Sequence, residues 1–305
     1  MGTTLSFNYY KQLQFGAALL WCMTLSIGCE HEVRYAETDL NVLCYNVAGL
    51  PAFLSSSKPD LYTTSISPLM NEYDIVHVQE DFCYHDSLRL HNSHQYITET
   101  TGCVPGGDGL NSFSNLKIEN LDRIPWEHCT FADCLTPKGF SYSQIIMADG
   151  ASIDFYNVHC NAGSADESLL ARRQNIAQLT NYIAEHSEGK AVILMGDFNC
   201  RYTRGGDTIR AMFNHSFKDV WVEFVRMGVV PDISEEALRN CSPSRTNPDC
   251  EVVDKFFYRS NDHIIITPTH YQLDDPQFYF QNDTMKPLSD HWPIMAGFKI
   301  KVEIQ

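Results

Sequence analysis

The sequence predicts an α/β protein in which two β-sheets pack face to face and helices cover their outer faces. Three observations indicate this fold class. Short apolar runs of strand length alternate in mixed order with segments of helical spacing, several of these runs end on acidic, amide or imidazole side chains, and 44% of the 305 residues are hydrophobic, which suffices for a large core. Because no internal repeat or linker-like run interrupts residues 40–305, we expect a single domain there.

The clearest predicted strand is the apolar run 191–195, which Gly196 ends. Five consecutive apolar residues are typical of a strand buried on both faces. Asp197 and Asn199 follow, and since side chains alternate along a strand, both point to one side while Phe198 turns back to the core. The pattern predicts a carboxylate beside an amide at the edge of a sheet, with an ordinary Asn/Asp turn as the alternative.

The remaining elements follow from the same kinds of pattern. The spacing of Ile176, Leu179 and Ile183 predicts a helix that lies on a sheet, and the Ser- and Pro-rich segment 51–62 predicts a loop near the mouth of the fold. The predicted strands are 40–47, 74–79, 109–115, 134–147, 152–158, 256–258, 264–266 and 293–302, and the predicted helices are 67–73, 165–186, 208–213 and 219–227.

Polar side chains also end other predicted strands. Asn46, Glu80 and His159 each end an apolar run, and Ser289-Asp290-His291 precedes the final one. A single such ending is common, but five in one chain exceed what turn-forming residues alone produce. Because carboxylates bind metal ions or protons and amides orient oxygen atoms, these strand ends predict a functional site.

The five polar strand ends, in this order, resemble the signature of the endonuclease/exonuclease/phosphatase superfamily, which includes deoxyribonuclease I, sphingomyelinases and inositol polyphosphate phosphatases. The resemblance covers residues 40–298 and implies a four-layered α/β/β/α sandwich that hydrolyses a phosphoester. The motifs that carry it are Tyr45-Asn46-Val47, Val78-Gln79-Glu80, Asn157-Val158-His159, Gly196-Asp197-Phe198-Asn199 and Ser289-Asp290-His291.

The resemblance implies a metal site. Glu80 is expected to be the chief ligand, with Asn46 beside it and Asp290 as a second carboxylate nearby. A small set of oxygen ligands, completed by water and a substrate phosphate, is what Mg²⁺ prefers, and Mn²⁺ and Ca²⁺ are alternatives. Without the resemblance, Glu80 would be interpreted as a surface carboxylate at a strand end.

The resemblance also implies catalytic roles. His291 is expected to act as a base or to orient the phosphate, and Asp254 to orient His291. Asp197 and Asn199 are expected to position the attacking water and the phosphate. His159 is expected to hydrogen-bond a phosphoryl oxygen or to serve the leaving group. A structural histidine is the alternative for both imidazoles.

Three further positions bear on the substrate. Lys138-Gly139 precedes the histidine-bearing strand, as in sphingomyelinases and inositol phosphatases but not in deoxyribonuclease I, and this lysine is expected to contact the substrate phosphate. An exposed, solvated lysine is the alternative. Asp81-Phe82 stands where deoxyribonuclease I has a basic residue, which disfavours a nuclease. Lys255 follows Asp254, where the family often has Tyr or Arg.

The formal net charge of −16 restricts the partners. An acidic surface repels polyanions, whereas duplex DNA binding depends on Lys and Arg at phosphates, so nucleic acid is disfavoured. A nuclease is not excluded, because a divalent cation and Arg201, Arg204 and Arg210 could offset the field. A phospholipid head group or a polyol phosphate is favoured, with transient contact to a membrane surface as an expectation, although no basic amphipathic helix is evident.

Residues 1–28 have the pattern of a signal peptide. Lys11 is the only charged side chain before Glu30, and the apolar run 15–28 ends on small residues. Its length fits the about 7–15 residues of a signal core and falls short of the about 20 that span a bilayer. We expect cleavage near Gly28, a short polar segment at 29–39 and a secreted catalytic domain at 40–305. An uncleaved membrane anchor is the alternative.

Cysteine usage agrees with export. The chain has eleven cysteines, and loss of Cys22 with the leader leaves an even number, which indicates disulfides rather than free thiols. Cys129 with Cys134 and Cys241 with Cys250 are candidate local bridges, although spacing does not fix connectivity. A zinc site is disfavoured because no Cys-x-x-Cys occurs. Glycosylation sequons begin at Asn214, Asn240 and Asn282.

The leading hypothesis is a secreted, monomeric, Mg²⁺-dependent phosphoester hydrolase that acts on a lipid-type phosphodiester or a polyol phosphate. A secreted nuclease is the first alternative. A non-catalytic binding relative is the second, and the presence of Glu80, Asp197 and His291 argues against it.

Overall fold

The computed structural model describes residues 34–55, 57–147, 150–280 and 286–304. The expected signal peptide, Cys22, Cys29 and the sequon at Asn282 lie outside the described residues. The first strand begins at Arg34, inside the segment 29–39 that was expected to lead into the domain.

The described part of the chain contains strands and short helices in mixed order. The strands are β1 (Arg34–Asn46), β2 (Ile75–Gln79), β3 (Tyr96–Ile97), β4 (Asn111–Ser114), β5 (Lys117–Pro125), β6 (Gly139–Ile146), β7 (Ser152–His159), β8 (Val192–Asp197), β9 (Lys218–Asp219), β10 (Asp254–Arg259), β11 (Ile264–Leu273) and β12 (Ile294–Ile304). The α-helices are α1 (Pro59–Leu69), α2 (His85–Arg89), α3 (Asp166–His186) and α4 (Val220–Phe224), and 3-10 helices occupy Met70–Glu72, Phe131–Leu135, Ile209–His215, Glu236–Leu238 and Pro276–Phe278.

The strands form two six-stranded mixed sheets. The order is β11-β12-β1-β2-β4-β3 in the first sheet and β5-β6-β7-β8-β10-β9 in the second. In each sheet two central strands run parallel, β1 beside β2 and β7 beside β8, and their outer neighbours β12 and β10 are antiparallel to them. The four strands of the two parallel pairs, β1, β2, β7 and β8, end in polar side chains, and these ends are where such side chains can meet.

Three hydrophobic clusters separate four layers. Residues of both sheets share the central cluster, to which β8 contributes Ile193. The next residue, Leu194, faces the opposite way and packs in a cluster with Ile183 of α3. On the other side, Ile66 of α1 packs in a cluster with Val76 of β2. The predicted α/β/β/α sandwich, with a strand buried on both faces at its centre, is confirmed.

The prediction of a loop over 51–62 is wrong for residues 59–62, because α1 begins at Pro59. Proline is accepted in the first turn of a helix, where its missing N–H would have no intrahelical partner. Tyr62 and Ile66 lie four residues apart and form the buried face. A composition rich in Ser and Pro therefore concealed a helix that tertiary packing stabilises.

Other predicted boundaries shift. The predicted helix 208–213 is a 3-10 helix, and the predicted helix 219–227 ends at Phe224. The predicted strand 264–266 continues to Leu273 through an irregularity between Pro268 and His270. The predicted strand 134–147 begins only at Gly139, because the segment before it forms a disulfide-closed loop.

Both candidate bridges are confirmed, Cys129–Cys134 and Cys241–Cys250, and a third joins Cys83 to Cys103. The expectation of disulfides in place of free thiols is wrong for three described cysteines, because Cys44, Cys160 and Cys200 are free and buried. Such cysteines pack as small apolar residues, and burial raises the pKa of all three thiols. Among the described helices, none has the length and apolar character needed to cross a bilayer.

Candidate active site

Strand register brings two carboxylates and one imidazole together at the ends of three neighbouring strands of the second sheet. His159 ends β7 and pairs with Asp197, which ends β8, and Asp197 also pairs with Asp254 at the start of β10. These three residues therefore form a row across three adjacent strands. All three are buried.

Asn46 joins this row to the first sheet. Its amide nitrogen donates to Glu80 Oε1 at 3.2 Å and to Asp197 Oδ2 at 3.2 Å, so a single buried amide contacts one carboxylate from each sheet. Its amide oxygen accepts the Ala48 N–H at 3.0 Å. The predicted metal residues Asn46 and Glu80 are thus in direct contact, and the site lies between the two sheets.

The backbone at Glu80 is strained. Its φ of 57° lies in the left-handed region, which costs a non-glycine residue about 1–3 kcal/mol and recurs at functional sites. The Glu80 carbonyl accepts N–H groups from Gly49 at 2.9 Å and Phe82 at 2.8 Å. A Cβ at Gly49 would lie 2.5 Å from that carbonyl oxygen, so only glycine permits this contact. The two backbone bonds hold the Glu80 carboxylate at the mouth.

His159 is buried beside two carboxylates. Its Nε2 lies 3.5 Å from Asp197 Oδ2 and 3.8 Å from Glu80 Oε1, while neither ring nitrogen has a hydrogen-bond partner among the described residues. Burial lowers its pKa well below the ordinary value, and the charges of Lys138 and His291 act in the same direction. The imidazole is therefore neutral at physiological pH and free to hydrogen-bond a ligand.

His291 lies between two buried carboxylates. Its Nδ1 is 3.0 Å from Asp254 Oδ2, and its Nε2 is 3.6 Å from Asp197 Oδ2. Burial alone would lower the pKa of His291, but the charges of Asp254 and then Asp197 outweigh it and raise that pKa well above its usual value. Burial raises the pKa of Asp197 to about 6, although the His291 charge opposes this. The three side chains offer ligand atoms within 4.8 Å of one another.

Asn199 is held by its neighbours. Its backbone N–H donates to Asp197 Oδ1 at 2.9 Å, and its amide nitrogen donates to Asp197 Oδ2 at 3.2 Å and to the Cys160 carbonyl at 3.1 Å. The pattern of the apolar run 191–195 placed these two side chains on one side of the strand, and they are in contact here.

Lys138 reaches the site from the segment before β6. Its Nζ lies 2.6 Å from Asp133 Oδ1, and Asp133 Oδ2 accepts the Ala162 N–H at 2.6 Å. The sequence patterns gave no indication of Asp133, because its contact with Lys138 depends on how the Cys129–Cys134 loop folds.

Ser289 also contributes to the site, although the sequence motif Ser289-Asp290-His291 predicted no role for it. Its hydroxyl donates to the Asn46 carbonyl at 2.6 Å and accepts the His291 N–H at 3.2 Å.

Asp290 is not among the three clustered ligands. Its side chain is exposed, and Ser289 Oγ lies 3.5 Å from Asp290 Oδ1. Among the described residues, Asp290 makes no hydrogen bond to Glu80 or Asn46.

The arginines after the Asp-x-Asn motif are held by intramolecular contacts. Arg201 donates to the Glu251 carbonyl, Arg204 Nε lies 2.7 Å from Asp207 Oδ2, and Arg210 Nη1 donates to the Tyr202 carbonyl at 2.9 Å. These contacts stabilise the segment 199–210, so the guanidinium groups are not a free phosphate-binding surface.

The fold and this site define a class of four-layered sandwich proteins in which carboxylates, amides and imidazoles from two sheets meet at the strand ends. Residues 43–231 match the description Endonuclease/Exonuclease/phosphatase family 2. The chain belongs to the endonuclease/exonuclease/phosphatase family, as the sequence motifs predicted.

Relatives in this family include sphingomyelinases. A sphingomyelinase of Mycobacterium tuberculosis is 36% identical over 270 residues, which are 85% of this chain and 52% of the relative. The chain thus spans about half the length of these curated relatives.

Solved structures agree on the fold. A Staphylococcus aureus beta toxin mutant with bound magnesium ions has a TM-score of 0.59 and 16% identity, covering 85% of this chain and 99% of the toxin. Danio rerio TDP2 in complex with a single-stranded DNA product has a TM-score of 0.60 and 18% identity, covering 86% and 99%. At these identities the likeness concerns the fold alone.

Proposed function

We propose that this chain hydrolyses a phosphodiester with the aid of a divalent metal ion, Mg²⁺ in the first instance. The observation that carries the proposal is the meeting of Glu80, from the first sheet, with Asp197 and His159, from the second. A neutral imidazole without a hydrogen-bond partner, buried beside two acids, is costly unless a ligand completes the site.

Glu80 would be the chief metal ligand, and Asn46 and Asp290 are further proposed ligands. The Glu80 carboxylate suits Mg²⁺ and is partly exposed, as an ion that retains water ligands requires. Asn46 would have to turn its amide to ligate the ion, because its oxygen accepts the Ala48 N–H here and its nitrogen faces Glu80. Mn²⁺ and Ca²⁺ are alternatives. When bound, the ion would neutralise charge on a phosphoryl oxygen and help to orient the ester.

The remaining residues would handle protons and the phosphate. The raised pKa of His291 favours a cationic, phosphate-orienting role over the role of base, with Asp254 orienting its ring. Burial raises the pKa of Asp197 to about 6, so above that pH its carboxylate would accept a proton from the attacking water. Neutral His159 would donate a hydrogen bond to a phosphoryl oxygen or to the leaving group. Asn199 and Lys138 would contact the phosphate.

The favoured substrate is a phospholipid of the sphingomyelin type. The sphingomyelinase relatives, the Lys138-Gly139 segment and the net charge of −16 support it. A polyol phosphate is the second candidate. A nuclease is disfavoured because an acidic chain repels polyanions, whereas DNA binding depends on Lys and Arg at phosphates. The single-stranded DNA complex of TDP2 carries no weight against this, since its 18% identity supports the fold alone.

We further propose that the chain is secreted and acts as a monomer. The three disulfides and the exposed Asn214 and Asn240, which begin two of the sequons, support an oxidising and glycosylating route. Mass spectrometry of protein expressed in a eukaryotic secretory system would test cleavage near Gly28 and glycan attachment together.

A substrate comparison tests the activity. The purified chain is incubated with sphingomyelin, an inositol polyphosphate and plasmid DNA, each with Mg²⁺ and with EDTA. We expect Mg²⁺-dependent release of the phosphorylated head group from sphingomyelin. DNA nicking without lipid cleavage would reverse the order of the two hypotheses, and binding of substrate without turnover would support a non-catalytic relative.

A further inference from the structure

An apolar groove opens beside the candidate active site. It has a volume of about 660 Å³, within the range of about 300–1,000 Å³ that small-molecule sites occupy. Its lining residues come mainly from the segments 50–54 and 132–138. The side chains that give the groove its apolar character include Phe53, Leu54, Phe82, Val104 and Leu135.

The rim of the groove exposes large apolar side chains to water. Phe53 is 85% exposed, Leu54 59% and Leu135 67%. Single exposed leucines are ordinary, but a group of them around one concave surface marks a binding surface for apolar material. The groove is therefore suited to a ligand that offers hydrocarbon.

Two disulfides cross-link segments that line the groove. Cys83–Cys103 joins the segments that carry Phe82 and Val104, and Cys129–Cys134 closes the loop that carries Ala132. Cross-links of this kind restrict loop motion, so ligand binding need not order these walls.

The groove is continuous with the candidate active site, because Glu80, which lies 3.8 Å from His159, also lines the groove. Lys138 lines it as well, and its charge acts on His159. A phosphate placed at Lys138 would direct its apolar substituent along the groove. A polyol phosphate has no such substituent and would leave the apolar wall in contact with water. An amphiphilic phosphoester satisfies both ends at once.

The charges around the groove indicate which kind of amphiphile it binds. Lys138 is the one basic residue among the described residues that line it, and Asp133 already pairs with that lysine at 2.6 Å. With a net charge of −16, the protein as a whole repels anionic surfaces. A lipid surface without net charge avoids this repulsion.

We propose that this groove binds the hydrocarbon chain of a zwitterionic phospholipid while the phosphodiester lies at the candidate active site. The position of the phosphate rests on the proposed function, whereas lipid binding does not require turnover. Leu54 and Leu135, which line the groove from two different segments, contact the hydrocarbon and determine preference for lipid over water-soluble phosphodiesters.

Vesicle binding tests the groove without catalysis. The wild-type chain and Leu54→Ser/Leu135→Ser are sedimented with sphingomyelin/phosphatidylcholine vesicles in EDTA. Leu90→Ser is the matched control, because Leu90 is 63% exposed and does not line the groove. We expect partition to fall about tenfold for each leucine that leaves the hydrocarbon and to stay unchanged in the control.

Unchanged partition of the double variant would overturn the proposal and assign the groove to a protein partner. Stronger binding to vesicles that contain phosphatidylserine than to zwitterionic ones would also overturn it. Circular dichroism and melting temperature, compared with the wild type, exclude misfolding as the cause of any loss.

Turnover then separates this inference from the proposed function. The same variants are assayed with sphingomyelin vesicles and with p-nitrophenylphosphorylcholine, which has no hydrocarbon chain. We expect the double variant to lose about tenfold or more in kcat/KM on vesicles only. Equal loss on both substrates would contradict the groove assignment. Failure of the wild type to cleave either substrate would reject the proposed function, while the sedimentation result would still decide the groove.

Discussion

His291 Nδ1 lies 3.0 Å from Asp254 Oδ2, so the loop before β12 is joined to the first residue of β10 at the centre of the site. We expect Asp254→Asn to lower kcat by about 10²–10⁴-fold, because the neutral amide no longer orients or stabilises a cationic imidazole. Steady-state kinetics over a pH series checks this, and the pH profile should move as the pKa of His291 falls.

Asp262→Asn is the control for that change, since Asp262 is exposed on the turn before β11. It should retain wild-type kcat and the wild-type pH profile. An Asp254→Asn variant with an unchanged profile would show that the contact has no catalytic role.

Glu80→Gln should weaken Mg²⁺ binding by at least about tenfold, because even the outer partners of a metal ligand typically contribute 10–100-fold to affinity. Isothermal titration with MgCl₂ measures this without any substrate. Glu188→Gln, on the exposed turn before β8, is the matched control and should bind as the wild type does. Equal affinity in both variants would move the metal away from Glu80.

Gly49→Ala should destabilise the fold by about 1–3 kcal/mol and reduce turnover, because the new Cβ would lie 2.5 Å from the Glu80 carbonyl oxygen. Gly205→Ala is the control, since no heavy atom lies within 4 Å of its added Cβ. Urea unfolding and kinetics on both variants test the prediction. It is wrong if the two alanine variants behave alike.

His77 should make stability depend on pH. Burial between the sheets lowers its pKa to about 3 from an ordinary value of 6.5. Between these values His77 binds more protons in the unfolded chain, so its contribution to the free energy of unfolding should fall by about 1.4 kcal/mol per pH unit as the pH drops below about 6.5.

His77→Phe removes the titrating group and keeps a ring against Phe155, so its stability should depend less steeply on pH. Urea unfolding between pH 7 and pH 5 measures the slope. His91→Phe, at an exposed position, should keep the wild-type slope. Equal slopes in the wild type and His77→Phe would contradict the assignment.

Sequence patterns predicted those features that depend on local periodicity. The apolar run 191–195 fixed a buried strand, and alternation then placed Asp197 and Asn199 on one side. The ordered motifs predicted that Glu80 and His291 share a site, and a chain of contacts through Asp197 now connects them. These conclusions held because a strand imposes a fixed direction on each side chain.

Features that arise from loop folding were not predictable. The ion pair between Asp133 and Lys138 involves the loop that the Cys129–Cys134 disulfide closes. Helix α1 begins at Pro59 within a Ser- and Pro-rich segment, since its buried face, rather than its composition, stabilises it. The exposure of Asp290 likewise depends on the loop before β12, for which periodicity gives no direction.

Sphingomyelin hydrolysis by the wild type, Glu80→Gln, His291→Ala and the combined variant Glu80→Gln/His291→Ala, at saturating Mg²⁺, decides whether Glu80 and His291 act together. Because both residues are proposed to serve one phosphate, each single variant should lose at least about 100-fold in kcat/KM. The combined variant should lose little more than the less active of the two single variants. Wild-type turnover in either single variant would contradict the claim that Glu80 and His291 serve one hydrolytic site.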